Sequence, residues 1–555
     1  MELKHVMLAL IELDCEGAKA NKKLALKPTY PSRFMFWNMY SPWSFFWFSP
    51  IIWKQTRQMA VSEGTADHIV IRDELMTHEN RIDNRIDLDR EHSGKPEAEE
   101  HTELAEAGLG DYREAVEWIT GLVSLGMKPG LKRMERLMDM LDHPERRLKF
   151  IHVAGTNGKG STCAYLTKVL LANGYDVGTF TSPYIEKYTN RIQYNGLDIP
   201  EEELLRLCRQ LKPLVEQIAA TELESPTMFE VSTALALMYY GTVTYPDYVV
   251  WETGLGGRLD STNIVTPVVC VITNVGHDHM EILGDTLAKV AAEKAGIIKS
   301  GVPVVTACDQ PSVLEVIRAK TKELHAPLYE LGRQFSYEVK SEELNRQTIH
   351  WSGPFCRYDN LVVGLNGPHQ LKNASVAMMV IEVLRQYQAL VLEEESLYAG
   401  FAEARWPGRL ELISANPRVL LDGAHNPEGA ESLARALEGP AYARQKLHLM
   451  MGMISTKNHT GYLEHILPIA DTVIFTEPDF HKKLDAAKLA ELAMPLVSRL
   501  SPQPAIIIEP DWKQALERLT ALTSPGDLAV VSGTLYLISD VRTWMLYHTD
   551  SEKGW

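Results

Sequence analysis

The chain has 555 residues, of which 45% are hydrophobic, and a formal net charge of −17. This length predicts several domains, because a domain commonly holds about 100–200 residues. The acidic balance and the lack of a long basic stripe argue against nucleic acid as a partner. Six cysteines are scattered without the spacing of a metal site, which predicts reduced thiols and a cytoplasmic protein.

The first 110 residues differ in composition from the rest of the chain. Residues 34–53 are half aromatic but contain Asn38, Pro42 and Pro50. A spanning helix needs about 20 mostly apolar residues, so a membrane helix is the less favoured interpretation and no stable membrane association is expected. Residues 60–110 are polar and acidic, as in a solvated linker. We therefore predict that residues 1–110 form an atypical, poorly ordered extension, or are read from an upstream start that is not the natural one.

Strands and helices alternate after residue 111. Two amphipathic helices are predicted at 112–122 and 131–141. Further helices are predicted at 161–173, 201–224, 227–240 and 286–295, and strands at 150–154, 177–181, 248–251, 268–273 and 302–306. Short buried strands that alternate with helices predict an α/β fold with a doubly wound parallel sheet.

A glycine-rich turn separates the first predicted strand from its helix. It has the sequence Gly155-Thr156-Asn157-Gly158-Lys159-Gly160-Ser161. Strand, glycine turn, lysine, hydroxyl and helix follow in the order that a phosphate-binding loop needs, because backbone N–H groups and the helix N-terminus then face an anion. Gly160 departs from the general pattern, in which the hydroxyl directly follows the lysine. A plain strand-to-helix turn is the alternative.

The second half of the chain contains two further predicted units. Residues 337–365 alternate polar and apolar side chains, which predicts an antiparallel appendage. Alternating strands and helices resume after a boundary near residues 404–409. The predicted organisation is therefore an extension at 1–110, a nucleoside-triphosphate-binding central domain at 111–407 that contains the glycine-rich turn, and a smaller C-terminal α/β domain at 408–555.

Polar segments follow several predicted strands, where ligands bind in open α/β sheets. Glu252 ends one strand before a glycine turn and is either a magnesium ligand or a cap of that turn. His279 belongs to a short His-Asp-His segment that is a weak metal signal. Lys294 lies at the end of an apolar helix, where spacing alone favours a solvated lysine. The turn that begins at Asp422 is either a cap or a ligand loop.

These segments together resemble one family. The motifs Gly-Thr-Asn-Gly-Lys-Gly-Ser, Thr-Ser-Pro, Glu-x-Gly-Leu-Gly-Gly-Arg-Leu-Asp-x-Thr-Asn, Asp-His-x-x-x-Leu-Gly, Glu-Lys-Ala-Gly-Ile-Ile-Lys, His-Gln-x-x-Asn-Ala, Pro-Gly-Arg and Asp-Gly-Ala-His-Asn-Pro occur in that order. Residues 111–555 resemble the folylpolyglutamate synthase/dihydrofolate synthase family of Mur-ligase-like enzymes. The additional glycine in the phosphate loop is normal in that family.

The resemblance implies roles for individual residues. ATP contacts correspond to the phosphate loop, with Gly158, Lys159 and Ser161 on the phosphates, and to Asn373, Arg409 and Asp422. Magnesium ligands correspond to Ser182, Glu252 and His279, with two ions expected. Lys294 corresponds to a lysine that is carbamylated in the family, and His425 to a position near the glutamate and phosphate end of the cleft. Lys159, Lys294 and His425 are the predicted catalytic residues.

Three segments depart from the family pattern. Tyr184 stands where the family usually has histidine, and Thr189-Asn190 stands where glutamate usually precedes Arg-Ile. Residues 455–458, Ser-Thr-Lys-Asn, replace the usual Asp-Lys-Asp. These differences affect the folate loop and the second domain and leave the predicted ATP and magnesium residues intact.

The resemblance implies a monomeric ATP-dependent ligase that adds L-glutamate to a folate or to dihydropteroate. ATP would convert a carboxylate into an acyl phosphate, which the amine of glutamate then attacks. Two alternatives are another Mur-like ligase and a nucleotide-binding regulator without ligase activity. The sequence does not distinguish between the two folate reactions, because the pocket loops decide that choice.

Overall fold

The computed structural model describes residues 108–126 and 128–552. The predicted extension, including its aromatic run at 34–53, lies almost wholly outside the described residues. Within the described part of the chain, no helix is both long and apolar enough to cross a membrane.

Helices and strands alternate through the described chain. The helices are α1 (Tyr112–Gly121), α2 (Lys132–Met140), α3 (Lys159–Ala172), α4 (Glu201–Ala219), α5 (Met228–Tyr239), α6 (Met280–Leu283), α7 (Leu287–Ala295), α8 (Pro311–Glu323), α9 (Pro368–Gln388), α10 (Glu394–Glu403), α11 (Pro427–Leu437), α12 (His459–Ile466), α13 (Ala486–Val497), α14 (Trp512–Leu522) and α15 (Leu535–Tyr547).

The strands of the first sheet are β1 (Phe150–Ala154), β2 (Val177–Phe180), β3 (Ile192–Tyr194), β4 (Leu197–Asp198), β5 (Tyr248–Glu252), β6 (Pro267–Ile272), β7 (Val304–Thr306) and β8 (Leu328–Glu330). Those that follow are β9 (Ser336–Glu343), β10 (Arg346–Ser352), β11 (Arg357–Val363), β12 (Glu411–Ala415), β13 (Arg418–Leu421), β14 (Leu447–Met451), β15 (Thr472–Glu477), β16 (Ala505–Asp511) and β17 (Leu528–Ser532).

The first sheet has the strand order β4-β3-β2-β5-β1-β6-β7-β8 in the described residues. Strands β2, β5, β1, β6, β7 and β8 pair in parallel. Successive residues of β1 enter different cores: Phe150 packs with α4 and α5, whereas Ile151 packs with α3 and α9. Helices therefore cover both faces, and the predicted doubly wound parallel sheet is confirmed.

The second sheet has the order β12-β13-β17-β14-β15-β16 in the same described part. Its strands from β13 to β16 are parallel, and only β12 pairs antiparallel. This arrangement confirms a second α/β unit. The chain passes from the first unit to the second between α10 and β12, while the exact predicted boundaries at 110/111 and 407/408 remain predictions.

The predicted antiparallel appendage is confirmed as the small sheet β9-β10-β11. Ile349, Trp351, Tyr358 and Leu361 are buried and join the core that contains α9. One face of this sheet therefore packs against the first domain, in agreement with its alternating sequence.

Some predicted bounds were wrong. The helix predicted at 201–224 ends at Ala219, because the Thr221 hydroxyl donates to the carbonyl of Ile218 (2.7 Å) and competes with the helix. Glu224 then has a φ of +61°, which no α-helix contains. The antiparallel edge strands β3, β4 and β12 were not predicted.

Candidate functional site

One cleft of about 470 Å³ lies between the strand ends of the two α/β units. It contains every residue that the sequence analysis proposed for ATP, metal or catalysis. These residues are Gly155, Thr156, Asn157, Gly158, Lys159, Gly160, Ser161, Ser182, Glu252, His279, Lys294, Asn373, Arg409, Asp422 and His425. The structure therefore places them together, although it does not assign their roles.

The glycine-rich turn is held by residues at the end of β6. Asn274 Oδ1 accepts hydrogen bonds from the backbone N–H groups of Thr156 (3.2 Å) and Asn157 (2.8 Å). The Thr273 hydroxyl donates to the carbonyl of Asn157 (2.6 Å). Gly158 has a φ of +83° and precedes α3 directly, so the first N–H groups of this helix face the cleft. This geometry is that of an anion site at a helix N-terminus.

Three glycines of the turn are required by close neighbours. A Cβ atom at Gly155 would lie 1.9 Å from Thr273 Oγ1, and one at Gly158 would lie 2.4 Å from Asn373 Oδ1. A Cβ at Gly160 would lie 2.9 Å from the indole ring of Trp406. The glycine that breaks the general phosphate-loop pattern is therefore explained by packing against Trp406.

The first residues of α3 contact both the acidic strand end and α9. Lys159 Nζ lies 3.8 Å from Glu252 Oε1 and 3.5 Å from the carbonyl of Thr156. The buried Ser161 hydroxyl accepts a hydrogen bond from Gln370 Nε2 (3.1 Å), and Gln370 Oε1 accepts one from Asn373 (3.0 Å). Sequence reasoning selected Asn373 from the His-Gln-x-x-Asn motif but missed Gln370, which orients it.

Glu252 ends β5 with a buried carboxylate. Its Oε2 accepts the backbone N–H of Ser182 (3.1 Å). Burial raises the pKa of Glu252, and the charge of Lys159 is the largest effect that opposes this rise. The same cleft wall therefore carries the carboxylate oxygens of Glu252 and the hydroxyl oxygen of Ser182. Both are oxygen groups of the type that magnesium prefers as ligands. Among the described residues, no group of three or more His, Cys, Asp or Glu side chains is arranged to hold a metal ion.

Lys294 is buried at the end of α7 and is only 3% exposed. Burial, followed by the charge of Lys159, lowers the pKa of Lys294 to about 7. Its ammonium has no hydrogen bond or ion pair with any residue in the described ranges. The alternative of a solvated helix lysine is therefore wrong, and a large share of this amine is neutral near pH 7.

Asp278 connects the two domains beside His279. Its carboxylate lies 2.7 Å from Lys457 Nζ, 3.3 Å from the amide nitrogen of Asn426 and 3.7 Å from His425 Nε2. Burial alone would raise the pKa of Asp278, but the interactions with His425 and Lys457 lower it. Lys457 Nζ also lies 3.5 Å from His279 Nε2.

Sequence reasoning placed His279 and His425 at the site, named Asp278 only within a weak metal signal and gave no role to Lys457. The signal for Lys457 was its position in a segment that departs from the family pattern. His279 has a φ of +53° before α6, and burial with the nearby Lys457 lowers its pKa. Lys457 Nζ therefore lies on the Nε2 side of this imidazole.

Hydrogen bonds across the cleft join the phosphate loop and the end of β6 to residues of the second domain. Asn157 Nδ2 donates to Asn426 Oδ1 (3.2 Å), and Asn426 Nδ2 donates back to Asn157 Oδ1 (3.1 Å). Glu428 Oε1 accepts the backbone N–H of His277 (2.8 Å). The turn that begins at Asp422 therefore contacts the loop that would hold phosphate.

Asp422 shapes the second-domain side of the cleft. Its carboxylate accepts the backbone N–H groups of Leu410 (3.0 Å) and Ala424 (2.9 Å), which fixes the chain directly after Arg409 and the turn that follows Asp422 itself. Burial raises the pKa of Asp422, and Arg409 opposes that rise. Burial and Arg409 also lower the pKa of His369 to about 4, so this cleft residue, which sequence reasoning missed, is neutral at pH 7.

The segments that depart from the family pattern have local partners. Asn190, where glutamate is usual, accepts the backbone N–H groups of Glu186 (3.0 Å) and Lys187 (2.9 Å). The buried Arg191 guanidinium lies over the rings of Tyr184 (5.0 Å) and Tyr188 (5.7 Å). The loop after Ser182 is thus built from a turn capped by an amide and an aromatic–arginine stack.

Comparisons with known proteins agree with this geometry. Residues 153–381 match the Mur ligase middle domain, and residues 408–535 match the Mur ligase glutamate ligase domain. A Bacillus subtilis dihydrofolate synthase/folylpolyglutamate synthase is 39% identical over 445 residues, which cover 78% of this chain and 98% of that protein.

Solved structures of the same kind superimpose on most of the chain. A Mycobacterium tuberculosis folylpolyglutamate synthase complexed with ADP has a TM-score of 0.73 and 28% identity, and the match covers 80% of this chain and all of that one (100%). E. coli FolC in complex with DHPP and ADP has a TM-score of 0.68 and 27% identity, with 78% and 96% covered. This chain therefore belongs to the dihydrofolate synthase/folylpolyglutamate synthase family of Mur ligases, which are ATP-dependent ligases.

Proposed function

We propose that this chain uses ATP to join L-glutamate to a folate, to dihydropteroate, or to both. The observation that carries the proposal is the cleft in which a phosphate-type loop, a buried carboxylate and a buried lysine of low pKa face a second α/β domain. Relatives named for both folate reactions, and a related structure that contains ADP and DHPP, support this choice of substrates.

The phosphate loop and three cleft residues would hold ATP. Backbone N–H groups at the start of α3 and the ammonium of Lys159 would neutralise the phosphates, and Ser161 would add its hydroxyl. Asn373 and Arg409 would contact the nucleotide from the two sides of the cleft, while Asp422 keeps the backbone around Arg409 in place. The three glycines at which a Cβ would force a neighbour to shift keep the backbone of this turn open, which supports its use as a phosphate cradle.

Ser182, Glu252 and His279 are the residues that would hold magnesium, with two ions expected. Bound magnesium would neutralise charge on the phosphates. The neutral amine of the buried Lys294 suits addition of CO2, which forms an N–C bond and releases one proton to solvent, and the resulting carbamate would place an anion in the cleft wall. The oxygen atoms of Ser182 and Glu252 and the imidazole of His279 are suitable donors for a magnesium ion.

Ligation requires two displacements in a site from which water is excluded. The substrate carboxylate first attacks the γ-phosphate of ATP, which gives an acyl phosphate and ADP. The glutamate amine then attacks the acyl carbon, and phosphate leaves. Lys159 and Arg409 would stabilise charge on the transferred phosphoryl group, and His425, held by Asp278 and the Gly423 carbonyl (2.8 Å), would lie at the glutamate end.

An ADP-release assay with purified protein tests this function. We expect ADP release that depends on L-glutamate together with either dihydropteroate or tetrahydrofolate, and comparing these two acids tells which reaction occurs. Release with UDP-sugar substrates instead would indicate another Mur-type ligase. Nucleotide binding without release for any acid would indicate a regulator and would overturn the proposal.

We propose that the protein works in the cytoplasm, where ATP and reduced folates are available, and that it acts as a monomer, since the described chain brings all of the proposed site residues to one cleft. Sedimentation of the purified protein tests the oligomeric state.

A further inference from the structure

The loop directly after Ser182 is held by the second domain and not only by its own. Within the first domain, its base is closed by the Thr181 N–H, which donates to the Arg191 carbonyl (3.1 Å). Asn190 caps the turn inside the loop. The tip, at residues 185–188, places backbone groups toward α15 and the residues that follow it. We call residues 183–191 the substrate loop; it follows Ser182 directly, and its first residue, Pro183, lines the cleft.

Three backbone groups of the loop tip find partners in the second domain. The Ser539 hydroxyl on α15 donates to the Ile185 carbonyl. The backbone N–H of Glu552 donates to the Glu186 carbonyl (3.0 Å), and the Glu552 carboxylate accepts the N–H of Tyr188. Buried or half-buried backbone groups need such partners, because a polar group that loses its contact with water and finds no other partner destabilises the fold.

Side chains of Arg542 and Glu552 add further contacts with the loop and with residues beside it. Arg542 on α15 donates from Nη1 to the Glu186 carboxylate of the loop and from Nε to both oxygens of Glu411 in its own domain (3.0 Å each). It is only 14% exposed, so this pair is shielded from solvent. Glu552 also accepts the Tyr112 hydroxyl (3.1 Å), and its carbonyl accepts that of Tyr184 (3.4 Å).

We propose that Arg542 and Glu552 are positioning residues that hold the substrate loop in place when the second domain is docked. The inference that this loop serves the acid substrate rests on the proposed function. Ser182 is anchored separately through Glu252, so the contact acts on the loop beyond the predicted metal ligand. Loss of the contact therefore changes binding of the acid substrate more than binding of ATP. Separation of the domains would release the loop, which couples acid binding to closure.

Hydrogen–deuterium exchange of the full chain without substrates tests the contact itself. In Glu552→Ala and in Arg542→Gln we expect amides of residues 185–188 to exchange about tenfold faster or more, as the loss of a charge-assisted hydrogen bond predicts. Glu552→Gln keeps an acceptor for the Tyr188 N–H and should retain much of the protection. Arg518→Gln, which breaks the Arg518–Glu509 pair within the second domain, is the matched control and should leave this segment unchanged. Equal exchange in wild type and both variants would overturn the proposal.

Kinetics then test the positioning role. We expect Arg542→Gln and Glu552→Ala to raise KM for the acid substrate about tenfold, with KM for ATP within about twofold of wild type. When the increase in KM for the acid is expressed as a free energy, the double variant Glu186→Gln/Arg542→Gln should show less than the sum of the two single variants, because the two residues form one pair. Faster exchange with an unchanged acid KM would overturn the role in substrate positioning. A wild-type protein with normal exchange and no ligation would count only against the proposed function.

Discussion

Lys294 shows how burial changes the pKa of a single side chain. Its amine is enclosed, unpaired within the described chain and shifted to a pKa of about 7. An ordinary lysine is almost fully protonated at pH 7, and an ammonium cannot add CO2. The sequence placed Lys294 at the end of an apolar helix, but only packing in three dimensions reveals that this end is enclosed.

We expect Lys294→Ala to lose at least about a hundredfold in kcat, because the proposed carbamate is absent. Acetate should restore part of the activity, whereas Lys294→Arg should not, since arginine keeps its charge and forms no carbamate. Wild-type activity should rise with pH through about 7, as the neutral amine becomes the main form, and bicarbonate should increase it. Rates measured across pH 6 to about 8.5 check this. Full activity of Lys294→Arg would leave only a packing or charge role.

Glu252 and His279 give a second prediction at the residue scale. We expect Glu252→Gln and His279→Ala each to raise the magnesium concentration for half-maximal activity about tenfold or more, because each removes one proposed ligand. Magnesium titrations of ADP release check this. Glu403→Gln removes an exposed carboxylate that pairs with Lys168 and serves as the control. Unchanged titrations in both site variants would remove these residues from the metal site.

At the scale of single elements, the phosphate loop depends on glycine for two separate reasons. Gly158 and Gly174 flank the same helix, and both have positive φ, at +83° and +80°. Only Gly158 has a neighbour, Asn373, at a distance that excludes a Cβ, while a Cβ at Gly174 would meet open space. The two positions therefore separate backbone strain from close contact.

We expect Gly174→Ala to lower the free energy of unfolding by about 1–2 kcal/mol through backbone strain, with ATP affinity unchanged. Gly158→Ala should show the same strain and also weaken ATP binding about tenfold or more, since Asn373 must move away from the loop. Denaturant unfolding and calorimetric titration of ATP check both. Equal ATP affinity in the two variants would show that the close contact does not matter.

The regular elements that place the site were largely predictable, since buried apolar runs and glycine turns are local signals. The strand before the phosphate loop was predicted at residues 150–154 and is observed there. Edge strands such as β4, which has two residues, were missed because they carry too few residues for a pattern. Asp278 and Lys457 lie far apart in sequence and meet only when the domains pack, so no local pattern could pair them.

At the scale of the whole molecule, the hydrophobic cores begin at Leu109 in the described chain. The Bacillus subtilis relative is matched over 98% of its own length by only 78% of this chain. These facts support our expectation that residues 1 to about 105 are dispensable for ligation.

We expect a chain that starts at Met76 to keep wild-type kcat and KM within about twofold, because every proposed site residue and every described core residue remains. Expression, thermal unfolding and the ADP-release assay check this. If the full-length protein is folded and active but the shortened chain is insoluble or inactive, the removed segment belongs to the enzyme.

The indole of Trp406 gives the molecule a built-in optical reporter. Its ring lies against Gly160 in the phosphate loop, and it stands in the segment that leads from the first domain to the second. Indole emission depends on the polarity and mobility of its surroundings. Filling of the loop by phosphate and a change in the angle between the domains would both alter those surroundings. Because the chain has eleven tryptophans, the part of the emission change that is lost in Trp406→Phe is the part that would report nucleotide arrival and closure without any attached dye.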